Sequence, residues 1–292
     1  MDPRSKIKTY SIVILSVMVS IMLCIPNQAN ATNKKYNRIA RIGTPVVDGN
    51  LNDSVWQGAD WQDMDAYAGG TQPKGFEAKS AVLWDNDFLY LAIDVNDNTH
   101  AVPKAVAPGA DTIWNGDSVQ HRVDLEYDSA PNSGQDIEWG YALQDGKVMT
   151  CAWSGAGNID FDTIKIIRDD AKKKTYYEAS VVLRLFEEKK TLSQYVKENP
   201  DAKIGYSDMV NANDGGARLG WLEWSSGIGA AKDANQFGTL TFDKKPQAIN
   251  SAEKIASTWG DIKRSFQLSK SIVVNWNSSS KQLLKDLVEK HP

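Results

Sequence analysis

The stretch AKSAVLWDNDFLYLAIDV, residues 78–95, decides the reading of the fold. In its second half Leu89, Leu91, Ile93 and Val95 alternate with Phe88, Tyr90, Ala92 and Asp94. That is a period of two, the mark of a strand with one face buried. A second strand-like run, 78–84, precedes it, and Asp85-Asn86-Asp87 between them is turn chemistry. Two strands and a tight turn follow. The pattern recurs outward. Residues 138–143 and 147–153 flank Asp145-Gly146, a strong hairpin signal because glycine tolerates positive φ. Val119, His121, Val123 and Leu125 alternate with Gln120, Arg122 and Asp124. Residues 163–167 pair with 176–185 through a charged connection, and late runs at 204–210, 219–224 and 237–242 complete the set. Many short strands with regular turns indicate a sandwich or barrel and argue against βαβ units. The expected class is all-β: a two-sheet antiparallel β-sandwich with a short helical C-terminal extension.

Before residue 243 only 187–198 reads as a helix, a charged surface connection ended by Asn199-Pro200. Composition changes after Phe242. Lys244-Lys245-Pro246 reads as a linker, and Asn250 with Glu253 as a capping box. Ile255, Trp259, Ile262 and Phe266 then recur at helical spacing, and Leu283, Leu284, Leu287 and Val288 form a second apolar face. These two helices are too small for a domain of their own and are expected to pack on the sandwich or on another extracellular protein.

At the other end, basic Arg4, Lys6 and Lys8 precede an apolar run at 12–25, Pro26 and Ala29-Asn30-Ala31. This order predicts a secretory signal cleaved after Ala31. The run is short of the roughly 20 residues a membrane span takes. The expected division is therefore signal 1–31, sandwich 32–243, and linker with helical tail 244–292. The expected product is secreted and free of the membrane. Residues 1–31 carry three basic side chains against Asp2, so the remaining 261 residues hold a net charge of −6. An acidic chain is a poor partner for nucleic acid or anionic lipid. Cys151 is then the single cysteine, so no internal disulfide can form, and its apolar neighbours predict a buried, inert thiol. Ten tryptophans are a heavy dose for this length; most are expected in the core, since aromatic rings bury large areas, and a minority on an exposed face would suit sugar stacking.

Several segments in order resemble the family 9 carbohydrate-binding modules. They are PVVDGNLNDSVW at 45–56, LWDNDFLY at 83–90 leading to Val95-Asn96-Asp97, and WNGDSVQ at 114–120 leading to Asp124. Ile204-Gly205-Tyr206, the run 211–216, Trp224-Ser225 and Phe237-Gly238 continue the order. The resemblance spans about residues 43 to 243. It implies a two-sheet sandwich, often stabilised by calcium, that is no enzyme itself and accompanies polysaccharide-degrading ones. Trp56 and Trp84 are expected in the core.

The resemblance also implies a site. Such modules clamp a terminal sugar between two tryptophans, and Trp114 matches the first. The loop 228–233 that should carry the second has no aromatic residue. Gln120 stands where the family has a sugar-binding glutamate, and Gly140 where it has an arginine. Trp139, Trp153 or Trp221 could supply another platform. The expected ligand-binding residues are thus Trp114, Gln120, Glu138 and Asn211, an aromatic face with polar groups for hydroxyls. A structural calcium ion would draw on Asp85, Asp87, Asp94, Asp97 or Asp128, none in an EF-hand pattern and each equally at home as a turn residue.

Three rivals remain open at this level. A glycoside hydrolase would need two facing carboxylates, and Asp117, Glu138 and Glu223 offer no distinctive spacing. A haem domain would use His121 with Met149 or Met209, though a hydrogen-bonded core histidine and packing methionines fit the pattern better. A protein-interaction module that has lost sugar binding would explain both the missing tryptophan and the helical tail.

Overall fold

A computed structural model describes residues 36–102, 111–130, 136–185, 190–229 and 232–246. Among them are thirteen strands: β1 (Asn37–Ile42), β2 (Gln62–Met64), β3 (Ala66–Ala68), β4 (Glu77–Trp84), β5 (Leu89–Asn96), β6 (Ser118–Asp124), β7 (Asp136–Gln144), β8 (Lys147–Ser154), β9 (Ile159–Asp169), β10 (Lys174–Leu183), β11 (Lys203–Asn213), β12 (Arg218–Glu223) and β13 (Gly238–Pro246). The hairpins read from the sequence are all present. β4 and β5 pair antiparallel from Glu77↔Asn96 to Trp84↔Leu89. β7 and β8 meet at Asp145-Gly146, where both residues have positive φ. The two helices are short: α1 (Ser54–Gln57) and α2 (Leu192–Glu198). α2 opens on a capping box, with Thr191 accepting from the Gln194 amide.

The ladder runs β8-β7-β6-β11-β13-β1-β4-β5-β10-β9, with β12 and β3 attached beyond β11 and β2 beside β4. The expected separation into two sheets is not what these ladders give. β1 joins the halves, pairing parallel with β13 on one side and with β4 on the other. All other pairs are antiparallel. The halves face one another across a shared core. Tyr141 of β7 and Tyr177 of β10 sit 6.3 Å apart, centroid to centroid, although they lie near opposite ends of the ladder. Trp84 joins that core, while Trp56 is enclosed in a smaller cluster on the outer side of β4 and β5.

One strand end differs from the expectation. β13 continues through Lys244-Lys245-Pro246, the stretch read as a linker, because a bulge in β1 lets Ile42 partner Pro246. Proline is tolerated there, at the strand end where no ladder donor is needed. Residues 1–31 and the proposed helices beyond Lys245 lie outside the described residues. Cys151 is half-buried, not enclosed. Burial, then the Asp111 and Glu138 carboxylates, still pushes its thiol pKa up, which suits an unreactive group.

β1 is fastened by a buried cation. Arg38 Nη1 donates to Asp208 at 2.8 Å, Nη2 donates to Ser80 at 2.7 Å, and the guanidinium lies 4.1 Å from the Trp224 ring centroid. The Asp48-Gly49 turn is fastened by Glu178. That carboxylate accepts from both turn amides and from the Trp56 indole at 2.7 Å, and burial raises its pKa to about 7.

Candidate functional site

Alternation within β6, β7 and β11 sends Val119, Val123, Trp139, Tyr141 and Val210 inward, and Gln120, Glu138 and Met209 to the outer face. There they floor a cavity of about 310 Å³. Trp114, on the short 3-10 turn Ile113–Asn115 before β6, and Trp153 of β8 add aromatic walls. Arg218 and Lys232 complete the rim.

Three of the four expected residues therefore meet in one place. Trp114 is 37 % exposed and presents its ring to solvent. Glu138 is almost fully buried, forms a close ion pair with Lys232, and lies 3.8 Å from Arg122. Gln120 donates to Glu138 Oε1 at 3.3 Å. Asn211 does not line the cavity. It is fully buried on the same outer face, two residues along β11 from Met209, and donates to Gln120 Oε1 at 3.0 Å and to Ser118 Oγ at 2.9 Å. Its role is to hold the Gln120 amide one way round, with the NH2 group turned toward Glu138.

The candidate second platforms also find their places. Trp139 is fully buried, stacked on His121 at 5.3 Å, and faces away from the site. Trp153 lines the cavity. Gly140 explains how: a Cβ there would run into the Val119 carbonyl and reach the Trp153 ring at 2.9 Å. Where the resemblance places an arginine, the missing side chain leaves room for the indole. The Trp153 N–H donates to the Asp111 carbonyl at 2.7 Å, which fixes the ring. Trp221 stands behind the rim, its indole against Gly229 and its N–H on Glu223 at 3.0 Å. Arg218 bridges the aromatic groups, 4.0 Å from the Trp221 ring and 5.4 Å from the Trp114 ring.

The site thus holds two aromatic faces, two cations, one carboxylate and one oriented amide. Such a set can stack on the C–H face of a pyranose and both donate to and accept from its hydroxyls. Of the three carboxylates weighed for hydrolysis, only Glu138 lines the cavity; the other two are engaged elsewhere. Asp117 accepts from the Ala101 and Asn213 amides, and burial raises its pKa to about 8. Glu223 accepts from Gly229 and Trp221. His121, the haem candidate, has Tyr206 Oη 3.0 Å from Nδ1 and Tyr141 Oη 2.9 Å from Nε2, so both nitrogens are occupied. Among the described residues no group of three or more His, Cys, Asp or Glu side chains converges as a metal cage. Of the aspartates expected for calcium, Asp85 accepts from the Asp87 and Phe88 amides, Asp94 from Lys174, Asp97 from the Thr99 amide and Asp128 from the Ala130 amide.

Comparison with known proteins agrees with this fold. Residues 47–245 match the family described as "Carbohydrate family 9 binding domain-like". Over 207 residues, 70 % of this chain, the sequence is 27 % identical to endo-1,4-beta-xylanase A of Thermotoga maritima. It is 24 % identical over 233 residues to exoglucanase XynX of Acetivibrio thermocellus, covering 76 % of this chain. The alignments span only 18 % of each of those enzymes. Two solved structures of a family 9 carbohydrate-binding module from Caldicellulosiruptor kristjanssonii superpose on 73 % of the chain. One is in complex with cellotriose (97 % of that chain, TM-score 0.54, 19 % identity) and one with glucose (99 %, 0.55, 20 %).

Proposed function

We propose that this chain, which belongs to the carbohydrate family 9 binding domain-like family, binds a soluble sugar or polysaccharide chain end between Trp114 and Trp153. The observation that carries the reading is the meeting of these two rings with Gln120, Glu138, Arg218 and Lys232 around one outward-facing cavity. Trp153 takes the part of the second platform that the loop at 228–233 does not provide. Gln120, oriented by Asn211, and the Glu138–Lys232 pair address the hydroxyls. The chain binds and carries out no catalytic step of its own. Its relatives support xylan or cellulose as the polysaccharide. Secretion through the leader at 1–31 would bring it to such material.

Calorimetry with xylo- and cello-oligosaccharides tests the reading. Wild type is expected to bind weakly, and Trp114→Ala and Trp153→Ala each to weaken binding about fivefold or more, given aromatic stacking worth on the order of 1 kcal/mol. Binding unchanged in both variants would place the site elsewhere. Failure of wild type to bind any glycan would favour a protein-interaction module.

A further inference from the structure

A second concavity, about 470 Å³, lies on the other half of the fold, on the outer face of β4, β5 and β10 beneath the loop at 49–57. A smaller one of about 200 Å³ adjoins it and shares Lys79, Asp94 and Lys174, so the two form one trough. None of its residues belongs to the Trp114 site. We propose that this trough is a second glycan-binding surface, taking an internal stretch of a neutral polysaccharide laid across the strands.

Register makes the surface. Asp63 pairs with Lys79, Lys79 with Asp94, Asp94 with Tyr176, and Tyr176 with Ile167. One row of outward side chains therefore crosses five strands, a span of about 19 Å at the usual strand spacing. That row is long enough for several sugar units, whereas the Trp114 cavity is compact. Aromatic faces flank it. Trp61 and Tyr176 both line the trough, and Ile167 is 42 % exposed there. Trp61 is held in place, its N–H donating to the Trp56 carbonyl at 2.7 Å and its ring 6.0 Å from that of Trp56. A stacking face that is already ordered loses little freedom when a ligand arrives.

The charges select the ligand class. Lys174 donates to both Asp94 oxygens at 2.9 Å, and Lys79 lies 3.9 Å from the same carboxylate and 5.2 Å from the Trp61 ring centroid. Lys172 is paired with Asp169 at 3.0 Å. Lys79 and Lys174 share Asp94, but across the whole trough three lysines, Lys79, Lys172 and Lys174, face three carboxylates, Asp63, Glu77 and Asp94, so a polyanion would find no net positive charge. Alternating donors and acceptors suit hydroxyls, and the exposed ammonium groups of Lys79 and Lys172 are held weakly enough to rearrange around them. A protein partner is disfavoured by the same charges, which are depleted at the centre of protein interfaces.

Affinity electrophoresis of the full chain through gels containing soluble xylan, mixed-linkage β-glucan or polygalacturonate tests the proposal. Trp114→Ala is expected to keep part of its retardation by a neutral polysaccharide, and Trp114→Ala with Tyr176→Ala to lose at least fivefold more. Should Tyr176→Ala not fold, Lys79→Ala, whose side chain is largely exposed, reads the same loss. If Trp114→Ala alone abolishes retardation, or the second substitution changes nothing, the trough is not a glycan surface. Retardation strongest in polygalacturonate and lost in high salt would overturn the neutral assignment. If Tyr176→Ala weakens binding while Trp114→Ala does not, the trough stands and the Trp114 reading fails. Absence of retardation for wild type would remove both.

Discussion

Asn211→Leu isolates the one buried contact that gives the Trp114 cavity an oriented amide. Leucine keeps the approximate volume and removes two donors, to Gln120 Oε1 at 3.0 Å and to Ser118 Oγ at 2.9 Å. Each bond is worth about 0.5–1.5 kcal/mol net, so the loss should be about 2 kcal/mol. For a domain of this size that is a fall in Tm of about 4–8 °C. Gln120 cannot recover by flipping, because its carbonyl oxygen would then face Glu138, 3.3 Å from the present nitrogen. Sugar binding should weaken by about fivefold as one neutral hydrogen bond of roughly 1 kcal/mol loses its geometry. The assay is a double-mutant cycle with Gln120→Ala, read by thermal unfolding and by calorimetry with cellotriose. Once Gln120 is absent, Asn211→Leu should cost about half as much in stability, because only the bond to Ser118 is left to lose, and it should cost little further binding. Additive effects on binding, or no effect of Asn211→Leu in the wild-type background, would refute the positioning role.

Gly140→Ala should displace the Trp153 ring and strain the β6–β7 pairing; overpacking of this kind costs about 1–3 kcal/mol, and tryptophan fluorescence together with calorimetry would show the shifted ring and weaker sugar binding. His121 should set part of the acid stability. Burial, opposed by Asp208 and assisted by Arg38, lowers its pKa to about 4, below its ordinary 6.5. Its neutral form therefore contributes stability that is whole above pH 6.5 and lost as pH falls toward 4. His121→Phe should be less stable at neutral pH but flatter across that window, by up to about 3 kcal/mol, as urea unfolding at several pH values would measure. Glu178, raised to about 7 from 4.5, works in the opposite sense, losing its contribution as pH rises through that interval. Glu178→Gln should remove that loss.

The long hairpins were legible because their strands alternate cleanly between a buried and an outer face. β1 was not. Its sequence NRIARI hides Arg38, fully buried on Asp208 and Ser80, and a buried cation reads as an exposed one until its partners are known. β2 and β3 are three residues each, too short to show a period. Trp114, Gln120 and Glu138 could be placed by resemblance because they lie on or beside β6 and β7. Arg218 reaches the cavity from the first position of β12 and Lys232 from the loop after that strand, a meeting that no local pattern signals. Asn211 is joined to the cavity through its hydrogen bond to Gln120 and does not line it, a distinction between a wall and its support that residue type alone does not make. The absence of an aromatic in the loop at 228–233 suggested a weakened clamp, yet the space freed at Gly140 admits Trp153 from another strand.

The parallel pairing of β1 with β13 also governs the order in which the chain can acquire its structure. Asn37 pairs with Thr239, so the first strand waits for a segment made about two hundred residues later. Its alternative neighbour, β4, offers pairing only at Arg41 and Ile42. During synthesis β1 therefore has little to hold it, and its Arg38 has no Asp208 to meet until β11 has emerged. Such distant pairings slow folding more than they cost stability. The final, rate-determining closure should come only after synthesis has passed residue 246. A chain kept unfolded until then, as one crossing a membrane for export is, would lose nothing by the delay.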